Sequence, residues 1–283
     1  MTKERSTEHE PTRGFWISTA AIAAGMTLAA QQMPDRSFRP MIEDRAFAVG
    51  AGPLVCFVEA HDNLHTLDDA FWPFGELVRR DGYLLRAVAA TFDGQSLADC
   101  RILVIADSQP GGLGADTVPA PPTFGQDEVA AIHRWVVGGG RLLLIGNHLP
   151  QAASSLAAAF GVTFVDRLAV DISMFRSADR TLPPHAIVRG RHAKESVATV
   201  STYKGRAFQA PATAEALLVD PDGLLQGAAM RVESGRAAFF GDAALFTAQI
   251  VGRERRLVGM NALGRTQNFQ FVLNVMHWLS GVL

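Results

Sequence analysis

The sequence predicts an α/β fold: a mostly parallel sheet with helices on both faces, extra β-strands in the second half and a C-terminal helix. Three observations carry this. Short runs that are apolar throughout, PLVCFV, RILVIA and RLLLIG, alternate with amphipathic helical segments between about residues 53 and 165. Strands buried on both faces read in this way because crossover helices cover a parallel sheet on each side. Beyond residue 165 strand candidates follow one another with Gly, Pro and Asp turns between them, and only the last segment, NFQFVLNVMHWLSG, is clearly helical.

Taken in order, PLVCFV ends at Val58, and PFGELVRR follows with Phe74, Leu77 and Val78 at helical spacing. Asp81-Gly82 suits a helix end, and YLLRAV is the next strand. RILVIA leads to a Gly/Pro loop and then to QDEVAAIHRWV, with Val129, Ile132 and Val136 on one face and Thr123 and Gln126 in a capping-box pattern at its start. Gly138 to Gly140 end that helix. RLLLIG, AASSLAAAF and VTFV read as strand, helix and strand, and VATVST, GRAFQA, AEALLVD, GAAMRVE and RAAFFG as further strands. In the final helix Phe269, Val272, Val275, Met276 and Leu279 form one stripe. Residues 166 to 195 show no clear period.

At 283 residues and 48% apolar, the chain has enough material for a substantial core. A net charge of -2 offers no basic stripe, which argues against a nucleic-acid partner. Residues 1–33 hold an uncharged apolar stretch, Phe15 to Ala30, preceded by Lys3, Arg5 and Arg13, and read as a signal peptide or a membrane anchor. Both of these leading readings put the folded part outside the cytoplasm, periplasmic, extracellular or anchored to the membrane; a buried cytoplasmic helix is the remaining alternative. Residues 34–50 read as a linker and 51–283 as one domain. Two cysteines, Cys56 and Cys100, are too few for a disulfide framework; buried thiols are the default, and a single bridge is the alternative in an oxidising compartment.

The most polar stretch is EAHDNLHT, residues 59–66, directly after PLVCFV. Pro73 is tolerated chiefly in a first helical turn, so residues 59–72 read as a loop at the carboxyl end of a strand. Ligands of open α/β sheets bind beyond such ends. The same edge is expected to carry Asp107 after RILVIA and Asn147 and His148 after RLLLIG. Glu59, His65 and His148 are the candidate catalytic residues, and His61, Asn63, Thr66, Asp107, Asn147 and Asp242 the candidate binding residues. Glu59 or Asp242 as base with His65 or His148 as acid is the minimum equipment for hydrolysis.

The plainer readings give these groups structural work. Glu59, Asn63 and Thr66 satisfy loop backbone, His61 and His65 share that plainer reading, and Asp242 and His148 cap the segments that follow them. His133 beside Arg134 reads as solvated, His277 and Trp278 as core, GGLGAD at 111–116 as a flexible loop, and His185 with Arg189, Arg191 and His192 as a solvated basic turn. No cofactor is called for. His61 and His65 leave a divalent metal as an option: on a helical turn their Cβ atoms would be about 6 Å apart, in an extended loop roughly 13 Å.

EAHDNLHT, FGQDEVAAIHRWVVGGGRLLLIGNHLP, GRAAFFGDAALFTAQ and NFQFVLNVMHWLSG together resemble an uncharacterised domain-of-unknown-function family in the class I glutamine-amidotransferase-like superfamily. The chain is also similar to auxiliary domains of gliding-motility-type ABC transporters and to the superfamily's intraflagellar-transport domain. The resemblance implies a flavodoxin-like sheet and little about activity. The superfamily's amidotransferases carry a nucleophilic cysteine on a G-x-C-x-G turn; here residues 145–148 read Ile-Gly-Asn-His, and no G-x-S-x-G elbow replaces it. Two functions follow as expectations: an exported hydrolase that is not a glutaminase, or a non-catalytic envelope module that binds a small polar ligand, a glycan or a protein.

Overall fold

Short apolar runs that are buried on both faces build the centre of the molecule. The computed structural model describes residues 32–61, 63, 65–93, 96–106, 123–146, 151–169, 171–264 and 266–283. Strands β2 (Leu54–Val58), β3 (Leu84–Val88), β4 (Ile102–Ala106), β5 (Arg141–Ile145) and β12 (Gly235–Phe240) lie side by side in the order β3-β2-β4-β5-β12. All four pairings among them are parallel. Odd and even residues serve opposite faces. Val55 and Phe57 of β2 pack with α1 (Trp72–Arg80) and α5 (Asn268–Ser280), whereas Val58 packs with α2 (Gln126–Val137) and α3 (Gln151–Ala158).

The sheet does not stay parallel. Beyond β12 come β11 (Leu225–Val232), β9 (Arg206–Gln209) and β6 (Thr163–Leu168), with β10 (Glu215–Val219) alongside β11. These four pairings are antiparallel, so the nine-stranded sheet is mixed, where the sequence predicted a mostly parallel one. The cause is local: the turn Glu233-Ser234 sends the chain straight back as a hairpin, with Val232 opposite Gly235, and a hairpin can make only antiparallel pairs.

Smaller elements account for the segments without a clear period. Strand β7 (Ile172–Arg176) pairs with β8 (Thr199–Tyr203), and α4 (Ala186–Arg189) is a single turn capped by His185, whose Nδ1 accepts from Ile187 N at 3.1 Å. A third sheet joins β1 (Gln32–Pro34), β13 (Ala248–Val251) and β14 (Arg256–Gly259). Helix α2 begins at Gln126, so the capping pattern read at Thr123 and Gln126 is shifted. Glu128 supplies the reciprocal carboxylate, accepting Gly125 N at 3.2 Å.

Between β1 and β2 the chain runs along α1. Phe38, Ile42, Ala46 and Phe47 pack against the core, and the Arg39 guanidinium stands 4.4 Å from the Trp72 ring centre. Gly82 follows α1 with φ +100°, and a Cβ there would meet Phe47 O at 2.3 Å, so the close approach of this segment requires glycine. Cys56 and Cys100 form a disulfide with Cα atoms 5.8 Å apart, in place of the buried thiols taken as default. Among the described residues no helix is long and apolar enough to cross a membrane.

Candidate functional site

The loop after β2 leaves the carboxyl edge of the parallel strands, and its polar side chains first serve the loop itself. Glu59 N extends the ladder by donating to Val88 O at 2.8 Å, and Glu59 Oε1 accepts Leu67 N at 2.7 Å. Asn63 is buried; its Nδ2 donates to Val58 O at 2.9 Å and its Oδ1 accepts His65 N at 3.0 Å. The Thr66 carbonyl accepts Asp69 N and Phe71 N, which turns the chain into α1. Short polar side chains close such loops because the backbone has lost its ladder partners there.

The two histidines of this loop face different neighbours. His61 adopts φ +63°, sets its Nε2 3.1 Å from Glu128 Oε1 at the start of α2, and meets the Phe124 ring edge-on. Glu128 Oε1 also accepts Phe92 N at 3.1 Å. His65 turns toward α1, with its ring centre 5.5 Å from that of Phe71, and lines a cavity of about 170 Å³. Pro34 of β1, Asp69 and Gln249 of β13 also line it. Gln249 is buried, and its Oε1 has no hydrogen-bond partner. Among the described residues no group of three His, Cys, Asp or Glu side chains is placed to hold a metal ion.

Asp242 follows the parallel strand β12 at the same edge and is fully buried. Its Oδ1 accepts Ala244 N at 2.9 Å, and its Oδ2 accepts Tyr203 N at 2.9 Å and Leu245 N at 3.1 Å. It therefore caps the one-turn 3-10 segment Ala244–Phe246 and ties that turn to β8. Burial pushes its carboxyl up to about 7, against three N–H donors that pull it down. Gly241 permits the turn, since a Cβ there would meet Arg206 O at 1.8 Å.

Asp107, Asn147 and His148 lie outside the described residues, as do the GGLGAD loop and residues 1–31. His133 is half-buried against Phe160, ring centres 5.0 Å apart, rather than solvated. It borders a mainly apolar groove of about 630 Å³ between α2 and α3. The turn expected to be basic and solvated is tied down by acids. His185 is buried with Nε2 3.4 Å from Glu215, Arg191 pairs with the buried Glu195, and His192 lies 3.1 Å from Asp44. Burial lowers the His185 pKa. His277 and Trp278 are core residues, as read from the sequence. Asp69 and Glu128 were missed. The G-x-x-E pattern at 125–128 was the available signal for Glu128; Asp69 had none, because its role depends on a strand 180 residues later in the chain.

No protein-family model matches the chain, and no curated protein matches it. Solved structures do. The N-terminal domain of mmIFT52 is similar over 80% of this chain and 96% of its own, with TM-score 0.60 and 12% identity. A candidate GMP synthase component from Thermoplasma acidophilum is similar over 82% of this chain and 95% of its own, with TM-score 0.50 and 11% identity. A glutamine amidotransferase from Thermotoga maritima matches at TM-score 0.45 and 13% identity, over 68% of this chain and 76% of its own. At these identities the likeness is one of fold: a mixed α/β domain whose structural neighbours include glutamine-amidotransferase-like proteins.

Proposed function

We propose that this domain is a non-catalytic binding module of the cell envelope, which holds a small polar ligand or the end of a glycan in the cavity between the loop after β2 and strand β13. One observation carries the reading. The Glu59 and Asn63 side chains and the His61 ring are spent on the loop backbone and on Glu128, while His65, Asp69 and Gln249 border a cavity with one buried, unpartnered amide oxygen. A concave site with a few convergent polar groups is what a small ligand needs. Hydrolysis asks for an accessible acid and base, and the buried Asp242 carboxylate already serves three backbone donors. Both cysteines are in one disulfide, which leaves no thiolate for glutaminase chemistry.

The same bridge supports an oxidising compartment, and hence export behind a cleaved signal or on a membrane anchor. The five adjacent parallel strands support a flavodoxin-like description of that half of the sheet and the kinship with the unassigned amidotransferase-like family. Titration calorimetry of the full chain against a panel of polyols, sugars and small amines tests the proposal. Binding that Gln249→Ala abolishes while the melting temperature holds would support it. Turnover of a panel compound that His65→Ala eliminates would replace it with the hydrolase.

A further inference from the structure

At the edge opposite the candidate site, a row of arginines crosses the ends of β4, β5, β12 and β11. Arg231 of β11 is in register with Arg236 of β12, and Arg236 with Arg141 of β5. Arg141 is also in register with Ile102, the first residue of β4, immediately after Arg101. Like charges set directly opposite one another on a sheet destabilise it. Here no acidic side chain offsets them: none of the four makes a salt bridge among the described residues, although the chain has more acidic residues than basic ones.

Carbonyls occupy part of this donor set. Arg141 Nη1 donates to Gly139 O at 2.7 Å and to Ser234 O at 2.9 Å, and Arg101 Nη1 reaches the same Gly139 O at 3.4 Å. Arg236 Nη1 donates to Trp278 O in the last turn of α5 and to Leu283 O beyond its end. Each guanidinium has five N–H groups, so most donors remain. The Nε of Arg141 is buried without a partner, in a residue only 9% exposed. Desolvation first, and then Arg101, Arg236 and Arg231, push the Arg141 pKa down, the reverse of what a neighbouring carboxylate would do. Arg101 and Arg231 are exposed and complete the rim.

The geometry points to an oxyanion site at this edge, in which Arg101, Arg141, Arg231 and Arg236 receive a phosphate group. Planar forks of N–H donors match tetrahedral oxyanions, and a doubly charged group would quench the mutual repulsion of the row. The phosphate has two sources, a soluble phosphate-bearing molecule or an anionic lipid headgroup. The site is separate from the cavity at His65 and does not depend on the role proposed for it.

The test uses the full chain at about 0.15 M ionic strength, where exposed long-range charge effects are screened. Calorimetric titration with inorganic phosphate is compared with chloride, and sedimentation with phosphatidylglycerol vesicles is compared with phosphatidylcholine alone. The proposal expects saturable phosphate binding that Arg101→Ala/Arg231→Ala weakens by about tenfold or more with the melting temperature retained. Vesicle binding lost in the same variant, without binding of free phosphate, supports the site with lipid as its source. Binding to neither probe, or binding equal in variant and parent, overturns it. Both substituted side chains are exposed, so misfolding does not confound the comparison.

Discussion

His277 Nε2 lies 2.7 Å from Asp81 Oδ2, with both side chains sealed from solvent. Asp81 closes α1, His277 sits in α5, and Asp81 Oδ1 accepts Ala46 N at 2.8 Å, so one carboxyl group joins the first helix, the last helix and the segment before β2. Removing one partner of such a pair leaves the other buried and unanswered. Asp81→Ala is expected to cost about 3 to 5 kcal/mol, read as a lower urea midpoint. Loss under about 1 kcal/mol would show that the pair does not hold the three segments.

Asp242 predicts a pH dependence. Its folded pKa of about 7 exceeds the ordinary 3.8, so the fold retains a proton that the unfolded chain releases. The contribution is complete below about 3.8 and is lost as pH rises through about 7, at a slope of roughly 1.4 kcal/mol for each pH step of one between those values. Urea midpoints measured from about pH 4 to about pH 8 should fall with rising pH, and the slope should flatten in Asp242→Asn. An unaltered slope in that variant would assign the effect to another group.

The Cys56–Cys100 bridge closes a loop with a sequence separation of 44. Chain-entropy arguments give about 4 kcal/mol for a loop of this length. Cys56→Ala/Cys100→Ala should melt well below the parent, and reductant should lower only the parent's melting temperature. Equal curves with and without reductant would mean that the bridge does not form.

Asn63 is the brace of the loop after β2, bonding Val58 O on one side and His65 N on the other. Asn63→Ala is expected to cost about 1 to 3 kcal/mol because both backbone groups lose their partner. Ligand affinity at the cavity should fall as well, since His65 is no longer held. Hydrogen exchange across residues 59–67 is the direct readout, and unchanged protection would refute the bracing role.

Much of the fold was legible because period and apolar content act locally. PLVCFV, RILVIA and RLLLIG appear as β2, β4 and β5, and of the stripe read in α5 Val272, Val275, Met276 and Leu279 are core and Phe269 is partly buried against it. The small strands β1, β7, β13 and β14 were not legible: QMP, ISMFR, AQIV and RLVG are short or mixed in polarity, and their ladders are set by partners distant in the chain. The site divided in the same way. A polar loop at a strand end could be read from EAHDNLHT. The divergence of His61 and His65 could not, because it follows from the positive φ of His61 and from Glu128 and Phe71 drawing the rings to different helices. Asp242 as a cap was readable from GDAALF, but its burial against Tyr203 N depends on tertiary packing.

Strand β1 lines the cavity at Gln32, Met33 and Pro34 while holding to β13 through three residue pairs. Any mechanical load applied upstream of Gln32 therefore reaches the cavity wall before it reaches the main sheet. The cavity wall and the three-pair ladder share the same residues, so losing this short edge would remove part of the pocket.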